Sequence, residues 1–397
     1  MRIPSPQDCT GCQACFNACP VSAISMEEDA EGFLQPRIDS AKCIVCGKCE
    51  RACPLLDLEL CIPFNVAKRP MCGISRSHDV WFQSSSGGMF SEICLALADR
   101  NPVVFGAYFD QDSIVRHGFS DGVEGIGIFR KSKYVQSDMG KMMRECRGFL
   151  EGGRYVIFSG TPCQIAGLRR YLGRNYERLL TVEFICHGVG SPKVFRDCLR
   201  SEERRRGKKI VRYTFRSKVV AGMSDVHVSR FEFADGSSAS EKRDLYNRFF
   251  LNQLCLRRSC MENCKFRHER RSADITLGDC REERTLYPDK DGRNWSVVIG
   301  NTEKGVDLVS TLNERSELHP YPLELLRLTN PLYFHTTPGN ALRDEMFRLY
   351  LSGKDLDTVA SVLHLKDNAK KGFRSFGKRV VRKVQRIVRG MLPVRAS

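Results

Sequence analysis

Near its N-terminus the chain reads Cys9-Thr10-Gly11-Cys12-Gln13-Ala14-Cys15-Phe16-Asn17-Ala18-Cys19-Pro20. The same spacing returns 34 residues later, as Cys43 minus Cys9 gives, and reads Cys43-Ile44-Val45-Cys46-Gly47-Lys48-Cys49-Glu50-Arg51-Ala52-Cys53-Pro54. Gaps of two residues let three thiolates converge on one iron-sulfur cube, while the fourth cysteine, followed by proline, turns away toward a second cube. The repeat therefore predicts an electron-transfer module.

This repeat resembles the two-cluster signature of bacterial ferredoxins. The resemblance implies two [4Fe-4S] clusters, with each run lending its fourth cysteine to the other cluster. Zinc knuckles or a disulfide framework are the alternative, but eight cysteines in duplicated register, with both prolines, suit neither. The implied ligands are Cys9, Cys12, Cys15 and Cys53 for the first cluster and Cys43, Cys46, Cys49 and Cys19 for the second.

Length and composition bound the architecture. A single domain commonly has about 100 to 200 residues, so 397 residues predict two or three domains. The apolar fraction of 42% supports a substantial core, and no apolar stretch approaches the ~20 residues that span a bilayer. The N-terminus has no apolar secretory region, which predicts a cytoplasmic protein. In that compartment the 19 cysteines are expected to remain reduced thiols that serve metals.

The formal charge of +16 is unevenly distributed. Residues 1–60 contain nine acidic and five basic side chains, a net charge of −4, whereas residues 366–397 contain eleven basic and one acidic, a net charge of +10. In this basic tail, apolar residues from Phe373 to Met391 recur every three or four positions, which predicts an amphipathic helix. Such a helix suits peripheral contact with the inner face of a membrane or docking on an acidic partner, and a solvated extension is the alternative. Nucleic acid is not expected, because no base-reading or stacking module accompanies the charge.

The predicted fold class is an α+β ferredoxin-like N-terminal module, then a larger α/β domain with mixed sheets, then the basic amphipathic C-terminal helix. Short apolar segments at 103–108, 155–158, 181–185 and 274–277 predict strands of the larger domain. The predicted boundaries are 1–60 for the two-[4Fe-4S] ferredoxin domain, 61–79 for a linker, 80–340 for the flavin and iron-sulfur domain, and 341–397 for a helical basic extension.

The larger domain contains a second group of cysteines. Cys163 stands at a tight turn between a predicted strand and helix, where a helix start stabilises a thiolate. Cys186 follows the end of another strand, the position at which open α/β sheets bind ligands. With Cys260 and Cys264 they supply four thiolates, enough for a third [4Fe-4S] cluster. The alternative is that Cys163 and Cys186 are buried structural thiols.

Small residues precede a predicted helix at Ser84-Ser85-Ser86-Gly87-Gly88. Glycines let the backbone approach an anion, and the free N–H groups of a helix start supply donors, so this pattern is typical of phosphate binding. A plain helix N-cap is the alternative.

Five motifs resemble, in this order, those of the coenzyme F420 hydrogenase/dehydrogenase beta-subunit family, over roughly residues 72–332. They are Ser84-Ser85-Ser86-Gly87-Gly88, Lys133-Tyr134-Val135-Gln136-Ser137, Gly160-Thr161-Pro162-Cys163-Gln164-Ile165-Ala166-Gly167-Leu168, Cys186-His187-Gly188 and Ala273-Asp274-Ile275-Thr276-Leu277-Gly278-Asp279. With the ferredoxin module in front, the arrangement is similar to that of F420H2 dehydrogenase electron-input subunits. The resemblance implies a flavoprotein that holds FAD beside an iron-sulfur cluster and exchanges hydride with a deazaflavin or a related substrate.

The same resemblance implies roles for individual residues. FAD phosphates would be contacted by Ser85, Ser86, Gly87 and Gly88, and the flavin or its ribityl chain by Lys133, Tyr134, Gln136 and Ser137, with Thr161 also at the cofactor. The third cluster would be held by Cys163, Cys186, Cys260 and Cys264.

The sequence departs from the family pattern at two places. Three residues separate Cys260 and Cys264, where the family has two, so Cys255 or Cys280 could substitute as a ligand or the loop could bulge. In the family an aromatic residue commonly follows Gly-Asp, whereas this chain has Cys280 at that position. The resemblance therefore implies that the surroundings of the flavin differ here.

The predicted function follows from electron counting. A deazaflavin or nicotinamide donor gives up two electrons as hydride, whereas a [4Fe-4S] cluster accepts one, and FAD can mediate between the two. Lys133 is a candidate catalytic cation near the flavin, with a surface lysine as the alternative. His187 is a candidate for proton transfer, with a structural histidine as the alternative. An iron-sulfur flavoprotein oxidoreductase that exchanges electrons with a redox protein partner is therefore expected.

Two other functions fit the same residues. The first is an electron-transfer adaptor without substrate turnover, which feeds a partner enzyme docked by the basic tail. The second is a reductase of a glycan or cell-surface pathway in an organism that lacks F420.

Overall fold

A computed structural model describes residues 3–61, 63, 66–218, 228–261, 264–280 and 293–365. Within these residues no helix is both long and apolar enough to cross a membrane. The basic tail at 366–397, expected to form an amphipathic helix, lies outside the described residues.

The N-terminal module repeats its helices as well as its cysteines. Helix α1 (Ala14–Ala18) and helix α2 (Lys48–Ala52) each begin one residue before the third cysteine of their run. Between them the chain forms an antiparallel hairpin of β1 (Ile24–Glu28) and β2 (Leu34–Ile38). The two halves of the module therefore have the same local structure around their cysteines.

The turns inside the two runs also match residue for residue. Gly11 and Gln13 have φ angles of 66° and 65°, and their counterparts Val45 and Gly47 have 51° and 68°. These left-handed residues bend each run sharply, so that the cysteines on either side point toward a common centre. Val45 is β-branched and carries this conformation at a steric cost that Gly11 avoids.

The larger domain is built on one eight-stranded mixed sheet. Its strands are β3 (Met71–Ser75), β4 (Val103–Phe109), β5 (Val115–Asp121), β6 (Val156–Gly160), β7 (Leu179–Phe184), β11 (Ile275–Cys280), β12 (Trp295–Gly300) and β13 (Ser316–Pro320). Their order is β13-β3-β12-β11-β7-β6-β4-β5, and the neighbours among β11, β7, β6 and β4 are parallel. The predicted strands at 103–108, 155–158, 181–185 and 274–277 are confirmed as β4, β6, β7 and β11.

Helices cover both faces of this sheet, because its central strands are apolar on both sides. Val103 and Phe105 of β4 pack with the helices on one face, whereas Val104 packs with those on the other. The described helices are α3 (His78–Phe82), α4 (Met89–Leu95), α5 (Met142–Glu151), α6 (Pro162–Leu172), α7 (Pro192–Arg206), α8 (Leu245–Leu251), α9 (Glu303–Thr311), α10 (Leu323–Thr329), α11 (Arg343–Leu351) and α12 (Leu356–Val362).

A separate antiparallel sheet supports the side of the domain beyond β7. It consists of β8 (Ile210–Thr214), β9 (Val228–Phe233) and β10 (Ser238–Lys242). Aromatic rings fill its contact with α7 and α8, and Phe195 lies 5.2 Å from Tyr213 and 4.9 Å from Tyr246, measured between ring centroids. This aromatic core anchors the chain segments that lead to Cys255 and Cys260.

The linker expected at 61–79 is corrected by the structure. Met71–Ser75 of that range is β3, which pairs with both β12 and β13 inside the large sheet. Cys72 and Ile74 of this strand are buried in the apolar core. Pairing with two antiparallel neighbours therefore makes this short segment part of the sheet, although the proline-rich sequence before it favours a linker.

Candidate iron-sulfur centres and flavin site

One cavity of the N-terminal module is lined by Cys9, Cys12, Cys15 and Cys53. The backbone N–H of Gly11 points at the sulfur of Cys9, 3.4 Å away. Burial raises the pKa of Cys12 and raises that of Cys15 to about 12, because apolar surroundings disfavour the charged thiolate. Thiolates in this cavity therefore require a compensating positive charge, which iron supplies.

A second cavity is lined by Cys19, Cys43, Cys46 and Cys49. The N–H of Ala23 donates to the sulfur of Cys19 at 3.1 Å. This cavity lies at the surface: Cys46 is exposed, and the adjacent side chains of Ile44 and Val45 are 61% and 77% exposed.

The two cavities divide the eight cysteines into the crossed sets that the ferredoxin resemblance implies. Within the described residues, no three His, Cys, Asp or Glu side chains lie close enough together to hold a single metal ion. A cubane cluster differs from a single ion because each of its four irons takes one thiolate. Four cysteines spaced around a shared cavity are therefore a donor set that suits a cluster.

The third group of cysteines meets at the carboxyl ends of β6 and β7. Thr161 and Gln164 form a capping box at the start of α6, and Pro162 is the first residue of the helix, so the chain turns there and presents Cys163. The hydroxyl of Thr161 is 3.1 Å from the sulfur of Cys163. Cys186 follows β7, and its sulfur accepts from the N–H of Gly188 at 3.4 Å.

The cysteines of this group lie close enough to influence one another's pKa. Burial raises the pKa of Cys163, and the neighbouring sulfurs of Cys260 and Cys186 raise it further. Burial likewise raises the pKa of Cys260 to about 12, with added contributions from Cys186 and Cys264. Cys264 packs in the same apolar cluster as Cys163. The structure thus brings together Cys163, Cys186, Cys260 and Cys264, while Glu262 and Asn263 between the last two lie outside the described residues.

A buried arginine tests whether this group fits a cluster. Arg267 is 5% exposed, and its Nε and Nη2 atoms have no hydrogen-bond partner among the described residues. Burial raises the pKa of Cys186, and the charge of Arg267 beside it partly offsets that rise. An isolated guanidinium inside a protein needs a nearby negative charge. Four thiolates around iron provide that charge, so the residues fit a third [4Fe-4S] cluster.

The two substitute ligands suggested by the sequence are engaged elsewhere. Cys280 forms a disulfide with Cys72, which joins β11 to β3. Cys255 packs in the aromatic core with Tyr246. The expectation that all the thiols stay reduced is therefore wrong for this pair. Both sulfurs are buried in the apolar core of the sheet, where they meet and form the bond.

Helix α6 connects the third group to the first cavity. A Cβ on Gly167, in the middle of this helix, would lie 3.0 Å from the sulfur of Cys12 and 3.2 Å from the Cβ of Ala14. The N-terminal module therefore rests directly on the helix that begins beside Cys163.

The residues expected at FAD phosphates form a tightly held loop. Ser86 donates its hydroxyl hydrogen to the carbonyl of Trp295 at 2.6 Å, and the N–H of Gly87 donates to Ser296 at 2.9 Å. A Cβ on Gly87 would come within 2.2 Å of the Gly73 carbonyl, so only glycine fits there. Gly88 has φ +88° and precedes α4, and the hydroxyl of Ser85 accepts from the N–H of Ser132.

The other residues expected at the flavin have partners within the protein. Lys133 donates to the carbonyls of Ile128, Phe129 and Arg130 at 3.2, 3.1 and 2.7 Å, and burial lowers its pKa to about 7. All three ammonium hydrogens are thus engaged with the turn before it. Tyr134 stacks on Phe250 at 4.8 Å.

Gln136 and Ser137 point toward the iron-sulfur groups. Gln136 donates to the carbonyl of Thr10 at 3.4 Å, and Ser137 accepts from Gln164 at 3.0 Å. His187 follows Cys186, and its ring lies 5.2 Å from that of Phe250. Gln136 therefore contacts the N-terminal module, and Ser137 contacts the helix that begins beside Cys163.

Basic residues that the sequence reasoning missed surround the Ser-Gly loop. Lys218 donates to the carbonyls of Trp81 and Ser86 at 2.7 and 2.8 Å. Burial lowers its pKa to about 7, and the nearby charges of Arg216, Lys131 and Arg293 lower it further, while Asp279 opposes them. These cations come from distant parts of the chain without a shared motif, so no local signal announced them.

Two family models match the chain. The model described as 4Fe-4S dicluster domain matches residues 8–55, which include both cysteine runs. The model for the C terminus of the coenzyme F420 hydrogenase/dehydrogenase beta subunit matches residues 153–324. We call residues 153–324, which match this family model, the family segment. The matched segment contains all four cysteines of the third group, whereas Ser85–Gly88 and Lys133–Ser137 precede it.

Two individual proteins are similar to parts of the chain. A polyferredoxin-like subunit of an aliphatic sulfonate oxidoreductase from Pyrococcus furiosus is 39% identical over 54 residues, which are 13% of this chain and 30% of that protein. A chain of the F420-reducing [NiFe] hydrogenase complex from Methanosarcina barkeri, solved with xenon, aligns over 78% of this chain and 95% of its own length, with 15% identity and a TM-score of 0.43.

One motif of the family segment proves to be structural. Asp274 accepts hydrogen bonds from the N–H and hydroxyl of Thr181 at 2.8 and 2.6 Å and from Thr302 at 2.9 Å. It therefore ties β11 to β7 and to the start of α9. A Cβ on Gly278 would lie 2.5 Å from Ile185, so this glycine permits close packing beside Cys186.

Proposed function

We propose that the protein is an iron-sulfur flavoprotein oxidoreductase. It passes electrons between a hydride donor or acceptor, F420 or another reduced substrate, and a redox protein partner. The observation that carries this proposal is the continuity of the three cysteine groups along α6. Because Cys163 begins that helix and Cys12 touches its middle at Gly167, electrons have a short route through the family segment into the N-terminal module.

The N-terminal module then leads to the surface. Cys53 from the second run lines the first cavity and Cys19 from the first run lines the second, so the two cavities share both cysteine runs. The second cavity has an exposed rim at Ile44 and Val45. We propose [4Fe-4S] clusters in all three groups, with the second cavity as the point of exchange with the partner.

The loop of Ser85, Ser86, Gly87 and Gly88 is proposed to hold the diphosphate of FAD. The physical support is the nearby positive charge of Lys218, Lys131 and Arg293, which a diphosphate would neutralise, whereas Arg216 is already paired with Asp279. FAD, when bound, supplies exchange of two electrons with a donor and of one electron with a cluster. The chain's own part is to fix the cofactor through backbone groups and cations and to keep the route to Cys163 short.

His187 remains the proposed proton-transfer residue. Its backbone carbonyl accepts from the Thr337 hydroxyl at 2.8 Å, which holds it next to Cys186. The contacts of Lys133 support a role in holding the turn at 128–130. To contact a flavin, its ammonium group would have to give up one of its three hydrogen bonds to carbonyl oxygens.

Cofactor analysis with donor oxidation tests this function. Protein prepared anaerobically is analysed for iron, sulfide and flavin, and reduced F420, NADH and NADPH are then compared as donors by bleaching of the flavin absorbance. About twelve iron atoms with one FAD per chain and bleaching by one donor are expected. Iron without flavin in the stoichiometric fraction would refute the flavoprotein.

A second candidate function is an electron-transfer adaptor without substrate turnover. The engagement of Lys133 and Gln136 in structural contacts favours it, because two of the residues expected at the flavin have other partners. An adaptor would hold iron without FAD and would take electrons from a reduced partner but from none of the three hydride donors.

A further inference from the structure

Five arginine side chains are buried in the described part of the chain, and they fall into two groups. Three of them pair with a carboxylate, since Arg216 contacts Asp279 at 3.0 Å, Arg271 contacts Glu183 at 2.9 Å and Arg343 contacts Glu31 at 3.0 Å. The other two, Arg257 and Arg267, have no ion pair with a described carboxylate, and both lie beside cysteines.

Arg257 is 2% exposed, and every hydrogen-bond acceptor around its guanidinium is neutral. The Phe33 ring lies 5.4 Å from its central carbon. The acceptors are the carbonyl of Cys9 at 2.7 Å, the carbonyl of Leu34 at 3.1 Å, the side-chain oxygen of Gln136 at 3.2 Å and that of Gln35 at 2.8 Å. These contacts satisfy its donors and leave its charge unbalanced.

A buried charge without a partner is strongly unfavourable, so the fold implies a negative charge near Arg257. The first cavity is its neighbour, because Cys9 lines that cavity and its carbonyl is the shortest contact of Arg257. Four thiolates outweigh the positive charge of a cubane core, and one-electron reduction adds one more negative charge. A cluster in this cavity is therefore the anion that Arg257 balances.

The segment that carries Arg257 also joins this cavity to the third group. Ser259, two residues on, donates its hydroxyl hydrogen to the same Cys9 carbonyl at 2.9 Å, and Cys260 follows it. Both hydrogen bonds fix the distance between the first cavity and Cys260.

We infer that Arg257 is the buried counter-cation of the first cluster and a positioning residue that makes this cluster easier to reduce. The inference rests on the proposed ligands Cys9, Cys12, Cys15 and Cys53. A fixed positive charge stabilises the cluster more after it has gained an electron than before. Arg257 therefore raises the reduction potential of the first cluster and favours entry of electrons from the third group.

The test is a redox titration of the anaerobic holoprotein, followed by electron paramagnetic resonance. Cys46→Ser and Cys260→Ser assign the signals of the second and third clusters, which leaves the first. In Arg257→Gln the potential of the first cluster is expected to fall while that of the second stays unchanged. Arg257→Lys retains the positive charge, so the potential of the first cluster in this variant should stay close to that of the unmodified protein.

Gln136→Glu tests the charge without removing the arginine. It places a carboxylate where the Gln136 side-chain oxygen already accepts from Arg257, so the charge is neutralised, and it gives up only the longer bond from the Gln136 nitrogen to the Thr10 carbonyl. The potential of the first cluster is expected to fall here as well. An unchanged potential in Gln136→Glu, or equal shifts in Arg257→Gln and Arg257→Lys, would overturn the inference.

The matched control is the double variant Glu31→Gln with Arg343→Gln. Arg343 is as buried as Arg257 and also contacts the N-terminal module, but Glu31 balances its charge. The double variant should weaken docking of the module and leave the potential of the first cluster unchanged. Mediated titration requires neither flavin nor a hydride donor, so absence of FAD would refute the proposed function without touching this result.

Discussion

The sulfur of Cys12 packs against Gly167. A Cβ added to this glycine would lie only 3.0 Å from that sulfur. Gly167 is in the middle of α6, and Cys12 belongs to the first cavity of the N-terminal module. This contact sets the closest approach of the module to the helix that begins beside Cys163.

Gly167→Ala is expected to push the module away from α6. The added methyl group would overlap the side chains of Cys12 and Ala14, and overpacking of this kind costs about 1–3 kcal/mol of unfolding free energy. Electron transfer from the third group to the first should slow, because the distance between them increases. Chemical denaturation and rapid reduction of the clusters measure the two effects.

Gly148→Ala is the matched control for that variant. Gly148 lies inside α5, and a Cβ there would have no neighbour within 4 Å. Removing a helical glycine should stabilise the protein by about 0.5–1 kcal/mol and leave electron transfer unchanged. Slower transfer in Gly148→Ala would mean that the rate responds to helix substitution in general rather than to the contact with Cys12.

Cys163→Ser is expected to remove the third cluster alone. The iron content should fall from about twelve to about eight atoms per chain, because two cubanes remain in the N-terminal module. Cys255→Ser also changes a buried thiol but lies in the aromatic core, and it should keep all the iron. An iron content near eight in the unmodified protein would instead show that the third group holds no cluster.

Affinity for FAD is expected to fall as the pH rises above 7. The pKa of Lys218 is lowered to about 7, chiefly by burial and then by Arg216, Lys131 and Arg293, so its ammonium loses its proton in this range. A bound diphosphate favours the charged form, hence binding takes up a proton and weakens from pH 7 to pH 9. Flavin fluorescence quenching in the flavin-free protein measures the dissociation constant.

Lys218→Met should bind FAD more weakly and with little dependence on pH in that range. The pKa of Lys133 is also lowered to about 7, but its ammonium is bound to three carbonyls, so Lys133→Met should retain the slope. If the slope vanishes in Lys133→Met and persists in Lys218→Met, the assignment of the diphosphate to the Ser-Gly loop is wrong.

Cleavage of the Cys72–Cys280 disulfide is expected to destabilise the large sheet. The bond links positions 208 residues apart, and its loss should cost roughly 2–5 kcal/mol. A reductant should therefore lower the unfolding midpoint of the unmodified protein but leave that of Cys72→Ser unchanged. Alkylation of the denatured protein before and after reduction counts the two thiols that the bond conceals.

The sequence was sufficient to predict features that depend on residues close together in the chain. The spacing of Cys9, Cys12 and Cys15 fixes how three sulfurs converge, and its recurrence 34 residues later gave the crossed grouping with Cys19 and Cys53. Apolar segments bounded by turns were sufficient to predict four central strands of the sheet. The positions of Cys163 and Cys186 followed from the strands before them, whereas Cys260 and Cys264 were added to the group by the family resemblance.

Features that depend on contacts between distant segments were missed. Lys218 meets the Ser-Gly loop only in the folded chain, and Cys280 pairs with Cys72 across a separation that no spacing rule covers. The contact of Gln136 with the Thr10 carbonyl was also not predicted, because it forms only when the N-terminal module packs against the segment that carries Gln136.

The exposed rim of the second cavity also makes it the weak point of the protein. Cys46 is exposed beside Ile44 and Val45, whereas Cys12 of the first cavity is buried against α6. A surface position that suits exchange with a partner also exposes the proposed second cluster to dioxygen and chelators. In air we therefore expect iron to leave the second cavity first, while the proposed inner clusters are still intact.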